Sequence, residues 1–282
     1  MTDMQNGPPS KLAIIVSTYN AAPFLRMTLE GYAQQNDKQF SLYIADDGSG
    51  PEIAQVIEDF RSRHDIPIHH LWHEDRGYRR ALALNRAIAA VDEPYIVLTD
   101  ADCVPLPGMI AAHKSIAETG IFIRGSRILL SEAMTGRLAS QGRWSPSLSA
   151  LQWMAWRMRG HINRAFPLFM PLRTSGSSEK LPGIRGCHFA FWTADARRVN
   201  GFDSSYEGWG REDSDFAARL FHAGVRRKNL YGMPVMHLWH REASRDRLGA
   251  NDDILNRCLQ ERRIRAIEGL EELAVSGEAA KP

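Results

Sequence analysis

Four short apolar runs alternating with helical stretches over the first hundred residues constrain the fold more than any other feature of this chain. LAIIVS reads as a buried strand, Pro23 to Gln35 as a helix, and SLYIAD as a second strand ending at Asp46-Asp47-Gly48-Ser49. Pro51 to Arg63 reads as the next helix, with Pro51 suited to a first turn, where a missing N–H costs nothing. IHHLWH is a third strand, Arg79 to Ala90 an alanine-rich helix, and YIVLT a fourth strand. Such alternation implies right-handed crossovers that cover both sheet faces. It predicts an α/β fold with a Rossmann-like, mostly parallel central sheet. Ligands bind such sheets beyond the carboxyl ends of the strands. Thr18, Asn20, Asp47, Arg76, Asp100 and Asp102 all fall at or just past those ends.

The rest of the chain divides less regularly. Residues 1–10 are polar and read as a disordered N-terminus, and 11–130 as the ligand-binding half. Residues 131–182 form an insert with seven Arg/Lys against two acids, interleaved with Trp144, Trp153, Trp156, Phe166, Phe169 and methionines. LSALQWMAWRMRGHINRAFPLFM within it reads as mainly helical, ended by Pro167. Residues 183–245 contain GCHFAFWT, a strand returning to the sheet; Ser214 to Ala223, a helix stopped by Gly224; and MPVMHLWH, a last strand. Residues 246–282 carry a charged amphipathic helix from Asp252 to Leu273, then a disordered tail.

At 282 residues, with 44% hydrophobic and 24% charged residues, the chain has enough apolar side chains for a full core. A net charge of +2 gives no case for nucleic acid. Three cysteines without metal or disulfide spacing suit a reducing compartment. With no signal pattern and no apolar run of spanning length, the expectation is a cytoplasmic protein, free or at the inner face of a membrane. The basic, aromatic insert 131–182 has two readings: a helical subdomain that covers the acceptor cleft with its Trp residues largely packed, and, as the sharper one, a contact with that membrane through Arg and Trp.

Carboxylates carry the chemistry. Asp100 and Asp102 in LTDADC close a buried strand, where a pair can hold a hard divalent ion and through it a diphosphate. Asp47, with Arg76, can read a nucleobase, the carboxylate accepting a uracil imide hydrogen. In EGWGREDSD, acids at 212, 213 and 215 open a helix, and an acidic first turn that answers the helix dipole can account for Asp215 and for Glu212. It does not account for Trp209 between two glycines, a wall suited to a sugar ring, nor for Asp213, placed to deprotonate an acceptor hydroxyl. Either His237 or His240 in MHLWHRE can complete an oxygen-rich metal shell. STYNAAPF is no glycine-rich phosphate loop, which disfavours a nucleotidyltransferase, and no GxGxxG turn supports a dehydrogenase. A non-catalytic saccharide-binding protein would have no use for the acids at 102 and 213.

VSTYN, DDGS, RGYRRALALN and LTDADC, in that order and spacing, resemble family 2 of the glycosyltransferases, which have the GT-A fold. GCHFAF, GFDSSYEGWGREDSDFAARL and VMHLWH look like the C-terminal half of galactosyltransferases and N-acetylgalactosaminyltransferases, so the resemblance covers about residues 11–242. It implies an inverting hexosyl or N-acetylhexosaminyl transfer from a nucleotide sugar, UDP-linked by preference, to a saccharide or lipid-linked saccharide in surface polysaccharide synthesis. By the same resemblance, Thr18, Asp47 and Arg76 contact the base and Asp100 lies near the ribose. Asp102 and His237 bind Mn2+ or Mg2+, with His240 as the competing ligand. Asp213 is the base, and Glu212 and Trp209 place the acceptor. His188 stands where this family often has Asn, and would there bond the acceptor.

Overall fold

The computed structural model describes residues 7–141, 148–242 and 244–275. The expected disordered ends fall mostly outside that range, as does Trp144, although Pro9 of the predicted N-terminal tail is buried. The chain runs β1 (Leu12–Thr18), α1 (Ala22–Ala33), β2 (Phe40–Asp46), α2 (Pro51–Arg61), β3 (Ile68–Trp72), α3 (Arg80–Ala90) and β4 (Tyr95–Asp100). Next come β5 (Cys103–Val104), α4 (Met109–Ile116), β6 (Ile121–Arg124), β7 (Arg127–Leu129), α5 (Glu132–Gln141), α6 (Ala150–Met158) and β8 (Arg173–Thr174). The C-terminal part holds β9 (His188–Trp192), α7 (Thr193–Arg198), α8 (Glu212–His222), β10 (Arg226–Tyr231), β11 (Val235–His237), α9 (Leu248–Gln260) and α10 (Leu270–Val275).

Eight strands form one sheet in the order β3-β2-β1-β4-β9-β6-β10-β8. β1, β2, β3 and β4 run parallel, and β9 returns antiparallel between β4 and β6. Every residue of β1 and β2 is buried, as two helix-covered faces require, and each face has its own apolar cluster. From β1 the chain steps outward to β2 and β3, then returns through α3 to β4 on the other side. The topological switch point therefore lies between β1 and β4, whose register pairs Ser17 with Asp100.

A second sheet, in the order β5-β11-β7, stands beside the first. MPVMHLWH was expected as a last strand; its Val235–His237 segment is extended, and it belongs to this small sheet. Two expectations change. The insert helix ends at Met158, not at Pro167, because Gly160 takes a left-handed turn (φ 71°); Pro167 sits in a separate single turn, Phe166–Leu168. The C-terminal helix is two helices. Between them Ala266 N–H donates to Val199 O at 3.0 Å and Ile267 N–H to Asp203 Oδ2 at 3.0 Å, tying the break to the body. Among the described residues, no helix is long and apolar enough to cross a membrane.

Candidate active site

An open cleft of about 1240 Å³ lies over the β1/β4 switch point, and a 480 Å³ annex beside Asn20 shares Ser17, Thr18, Asp100, Asp102 and His240 with it. Two charged groups organise it. The first centres on Arg80, at the start of α3 and largely buried. Its Nη2 donates to Asp100 Oδ1 at 2.9 Å, and its Nη1 to Glu212 Oε1 and Asp213 Oδ1, both at 3.1 Å. Ser17 Oγ donates to the same Asp100 oxygen at 2.7 Å, and Arg80 Nε to Ser17 Oγ at 3.2 Å. One cation thus gathers side chains from β1, β4 and α8. Burial opposes its charge, but Asp213, Asp100 and Glu212 outweigh that and hold the guanidinium above its ordinary value.

Three carboxylates around one arginine leave an excess of negative charge. Glu212 absorbs it: burial first, and repulsion from Asp213 second, push its carboxyl up to about 7. Asp213 is held from both ends, Oδ1 by Arg80 and Oδ2 by the Gly186 backbone N–H at 2.6 Å. Gly186 is needed there, because a Cβ at this position would lie 2.4 Å from Arg80 Nη2 and 2.6 Å from Asp213 Oδ1. The loop before α8 is shaped by Gly208, Gly210 and Arg211, all at positive φ. That loop leaves Trp209 40% exposed on the cleft wall, with Arg245 5.2 Å above its ring.

The second group is fixed by register. β11 lies against β5 with His237 opposite Cys103, and Leu238 N–H donates to Asp102 O at 2.8 Å, so strand pairing sets Asp102 beside the histidines. Asp102 Oδ2 lies 2.9 Å from His240 Nε2 and 3.7 Å from His237 Nε2, and all three donor atoms fall within 4.8 Å of one another. One carboxylate oxygen and two imidazole nitrogens converging at a cleft mouth fit a divalent ion with open positions. The mixed O/N set suits Mn2+ better than Mg2+, which prefers oxygen. Burial would raise Asp102, yet the His240 hydrogen bond and the nearby His237 hold it below the usual carboxylate value. The same bond pushes His240 up to about 9, while burial draws His237 down.

The remaining predicted residues divide. Thr18, at the end of β1, lines the cleft, and its buried Oγ1 has no hydrogen-bond partner within the protein. Asp47 lines it too, with Oδ2 accepting from Arg79 N–H at 2.8 Å and Oδ1 3.3 Å from His73 Nε2. Asn20 (φ 48°) braces the β2–α2 turn, its Oδ1 accepting from Gly50 N–H at 3.0 Å. Arg76 is 65% exposed, bonded to Glu74 at 2.8 Å, and is not among the cleft-lining residues. His188 does not reach the cleft. It is 1% exposed, its Nε2 is 2.9 Å from His113 Nε2 and its Nδ1 is 3.2 Å from Ser126 O, so core packing occupies the ring expected at the acceptor. Asp215 is structural, wholly buried against Arg219 at 2.7 Å. Arg80 went unread in the sequence, although it opens a helix just after a strand end, where the other candidates also cluster.

Comparison with known proteins bears on the family and the fold. The family model described as glycosyl transferase family 2 matches residues 13–120, and that described as N-terminal domain of galactosyltransferase matches residues 168–241. Validoxylamine A glucosyltransferase of Streptomyces hygroscopicus subsp. jinggangensis is 26% identical over 261 residues, covering 86% of this chain and 59% of that protein. Chondroitin synthase of Escherichia coli is 23% identical over 244 residues, covering 80% of this chain and 34% of that protein. The chain therefore spans only part of the length of these relatives. S. aureus TarS (residues 1–349), solved with UDP-GlcNAc, superposes with TM-score 0.61 at 14% identity, covering 93% of this chain and 69% of that one. The mannosyltransferase PcManGT of Pyrobaculum calidifontis, solved with GDP-Man and Mn2+, superposes with TM-score 0.53 at 17% identity, covering 99% and 79%. The fold is that of the GT-A glycosyltransferases; residues 13–120 match glycosyl transferase family 2 and residues 168–241 are galactosyltransferase-like.

Proposed function

We propose that the chain is a metal-dependent inverting glycosyltransferase, moving a hexose or N-acetylhexosamine from a nucleotide sugar, by preference UDP-linked, to a saccharide or lipid-linked saccharide. The observation that carries this reading is the convergence of Asp213 and Asp102 on one cleft, linked through Asp100 and Arg80. Solved neighbours of the same fold hold UDP-GlcNAc, and GDP-Man with Mn2+, which supports a nucleotide-sugar donor.

A diphosphate does not enter a site lined by Asp100 and Asp102 unless a cation offsets the repulsion. Asp102, His237 and His240 would hold Mn2+, which supplies charge neutralisation to the departing nucleoside diphosphate. Thr18 Oγ1 and Asp47, at the ends of β1 and β2, face the donor's nucleoside. Asp213 takes the proton of the acceptor hydroxyl while that oxygen bonds to the anomeric carbon. The carbon–diphosphate bond breaks on the opposite face, so configuration inverts. Arg80 and the Gly186 N–H fix the two oxygens of Asp213, and a hydroxyl bonding to an electron-poor carbon becomes acidic enough to give up its proton to that carboxylate. The net negative charge around Arg80 also favours the positive charge that develops on the sugar. Trp209 offers a ring face for acceptor stacking. The test is transfer from UDP-GlcNAc, UDP-Gal or UDP-Glc to a saccharide acceptor with Mn2+, comparing wild type with Asp213→Asn. Equal rates in the two proteins would end the assignment.

A further inference from the structure

α6 is built unlike the other helices around it. A Ser149–Gln152 capping box starts it, and Trp153, 5% exposed, anchors it to the apolar cluster formed by β7, β11 and α5. At 3.6 residues per turn, Leu151, Met154 and Met158 share a narrow stripe on the side of the helix away from Trp153. They are 83%, 45% and 84% exposed. Arg157 and Arg159, both exposed, flank that stripe on its two sides. Just beyond, Phe166 is 72% and Phe169 44% exposed, flanked in sequence by exposed Arg164 and Arg173 on the same insert. From residue 133 to residue 178 the sequence contains six arginines and no Asp or Glu. Isolated exposed apolar residues are ordinary, but a stripe of long, flexible ones bordered by arginines and free of acids is not.

We infer that this face docks on an anionic lipid surface. The apolar stripe and the two phenylalanines enter the headgroup boundary, and the arginines meet lipid phosphates. Charge complementarity selects the occupant: a segment with six arginines and no acids is repelled by cationic partners and attracted to anionic ones, and side chains of this length reach the acyl boundary. The insert is also fastened to the cleft. Asn163 pairs with Leu129 through N–H to Leu129 O at 3.0 Å and Oδ1 from Leu129 N–H at 3.0 Å, Ile162 bridges Leu130, and Leu129 and Leu130 line the cleft. Docking would therefore hold the cleft near the bilayer, where an acceptor carried on a lipid presents its sugar. This deepens the proposed function and rests on its lipid-linked acceptor, but its test reads binding and not transfer.

The experiment is co-sedimentation of the full chain with phosphatidylcholine vesicles, with and without phosphatidylglycerol, at low and high salt. Binding is expected to the anionic vesicles only, weakening as salt rises. Leu151→Asp with Met158→Asp should lower the partition by about tenfold or more while leaving the melting temperature and UDP binding unchanged. Arg157→Gln with Arg159→Gln should remove most of the salt-sensitive share. The inference is overturned if wild type ignores anionic vesicles, or if the Leu151/Met158 variant binds them equally well. It is also overturned if wild type is a dimer that this variant turns into a monomer, since a second copy would then own the face. Vesicle binding without sugar transfer would leave the docking surface standing and remove the proposed chemistry; transfer to soluble acceptors without vesicle binding would do the reverse.

Discussion

Asp213 is the charge partner of Arg80 and, in the proposed mechanism, also the base; Asp213→Asn separates the two. The substitution removes an ion pair but also relieves the repulsion that raises Glu212, so the stability effects oppose each other. We expect an unfolding midpoint close to wild type with sugar transfer lowered by roughly 10²–10⁴-fold, the usual share of a general base; folding is read by chemical denaturation and transfer by product formation. Glu212 gives the complementary pH prediction. Its folded value of about 7 lies above the ordinary 4.5, so the folded protein holds this proton more tightly than the unfolded chain. That stabilisation is complete below about pH 4.5 and is lost as pH rises through about 7, an effect of about 3 kcal/mol for a group this buried. Glu212→Gln cannot ionise, so denaturation at pH 5 and pH 8 should show a smaller decline for the variant than for wild type; an identical decline would refute the assignment. Sequence reasoning reached Asp213 because the acidic first turn gives no reason for Trp209 between two glycines, and reached Glu212 through the family resemblance. It missed Arg80 because RGYRR offers three arginines, and only the helix phase of α3 decides that Arg80 enters the crevice while Arg76 pairs with Glu74 in solvent.

β1, β2 and β4 were legible because burial on both faces writes itself as unbroken apolar runs; β3 was read despite its mixed burial, and β6 was not read. β7 and β5 were not, being too short to leave a periodic signature, and yet their pairing with β11 brings Asp102 to His237 and His240. The metal trio was therefore legible as residue types and not as geometry. Its element-scale prediction is that chelation abolishes transfer and Mn2+ restores it. His237→Ala and His240→Ala should each raise the Mn2+ needed by at least about tenfold in a metal titration of activity. A second prediction concerns the link between β6 and β7. Gly125 N–H donates to His188 O at 2.8 Å, and a Cβ on Gly125 would sit 2.1 Å from the His188 ring. The ring cannot yield, bonded as it is to His113 and Ser126. Gly125→Ala should cost about 1–3 kcal/mol of stability by overpacking, measured by chemical denaturation. A stability equal to wild type would mean that His188 has room to move, and would reopen its assignment to the core. The insert helix and the C-terminal helix were overextended in the sequence reading for one reason: local periodicity continues past the points where Gly160 and the docking of Ala266 and Ile267 turn the backbone.

Across the whole molecule, the cleft is assembled from parts that the unfolded chain keeps far apart: β1 and β4 from the first hundred residues, β11 and α8 from the last third. A ligand that spans the switch point must therefore bind the folded state alone, and its binding free energy adds to the stability of the entire fold. The nucleoside would lie over β1 and β2, the diphosphate over Asp100 and Asp102, and the ion between Asp102 and the histidines. In the proposed mechanism nucleotide and metal would each complete the other's site. Neither should stabilise strongly alone, because the nucleotide meets uncompensated carboxylates and the ion lacks phosphate oxygens. Thermal unfolding with UDP, GDP and TDP sugars, each with and without Mn2+, reads this directly. The favoured nucleotide with Mn2+, at about a hundredfold its dissociation constant, should raise the midpoint by roughly 5–10 °C. The two additions made separately should sum to clearly less. A shift of equal size for nucleotide with and without metal would show that the diphosphate does not depend on the Asp102 ion, and a preference for GDP over UDP would move the donor assignment while leaving the metal geometry intact.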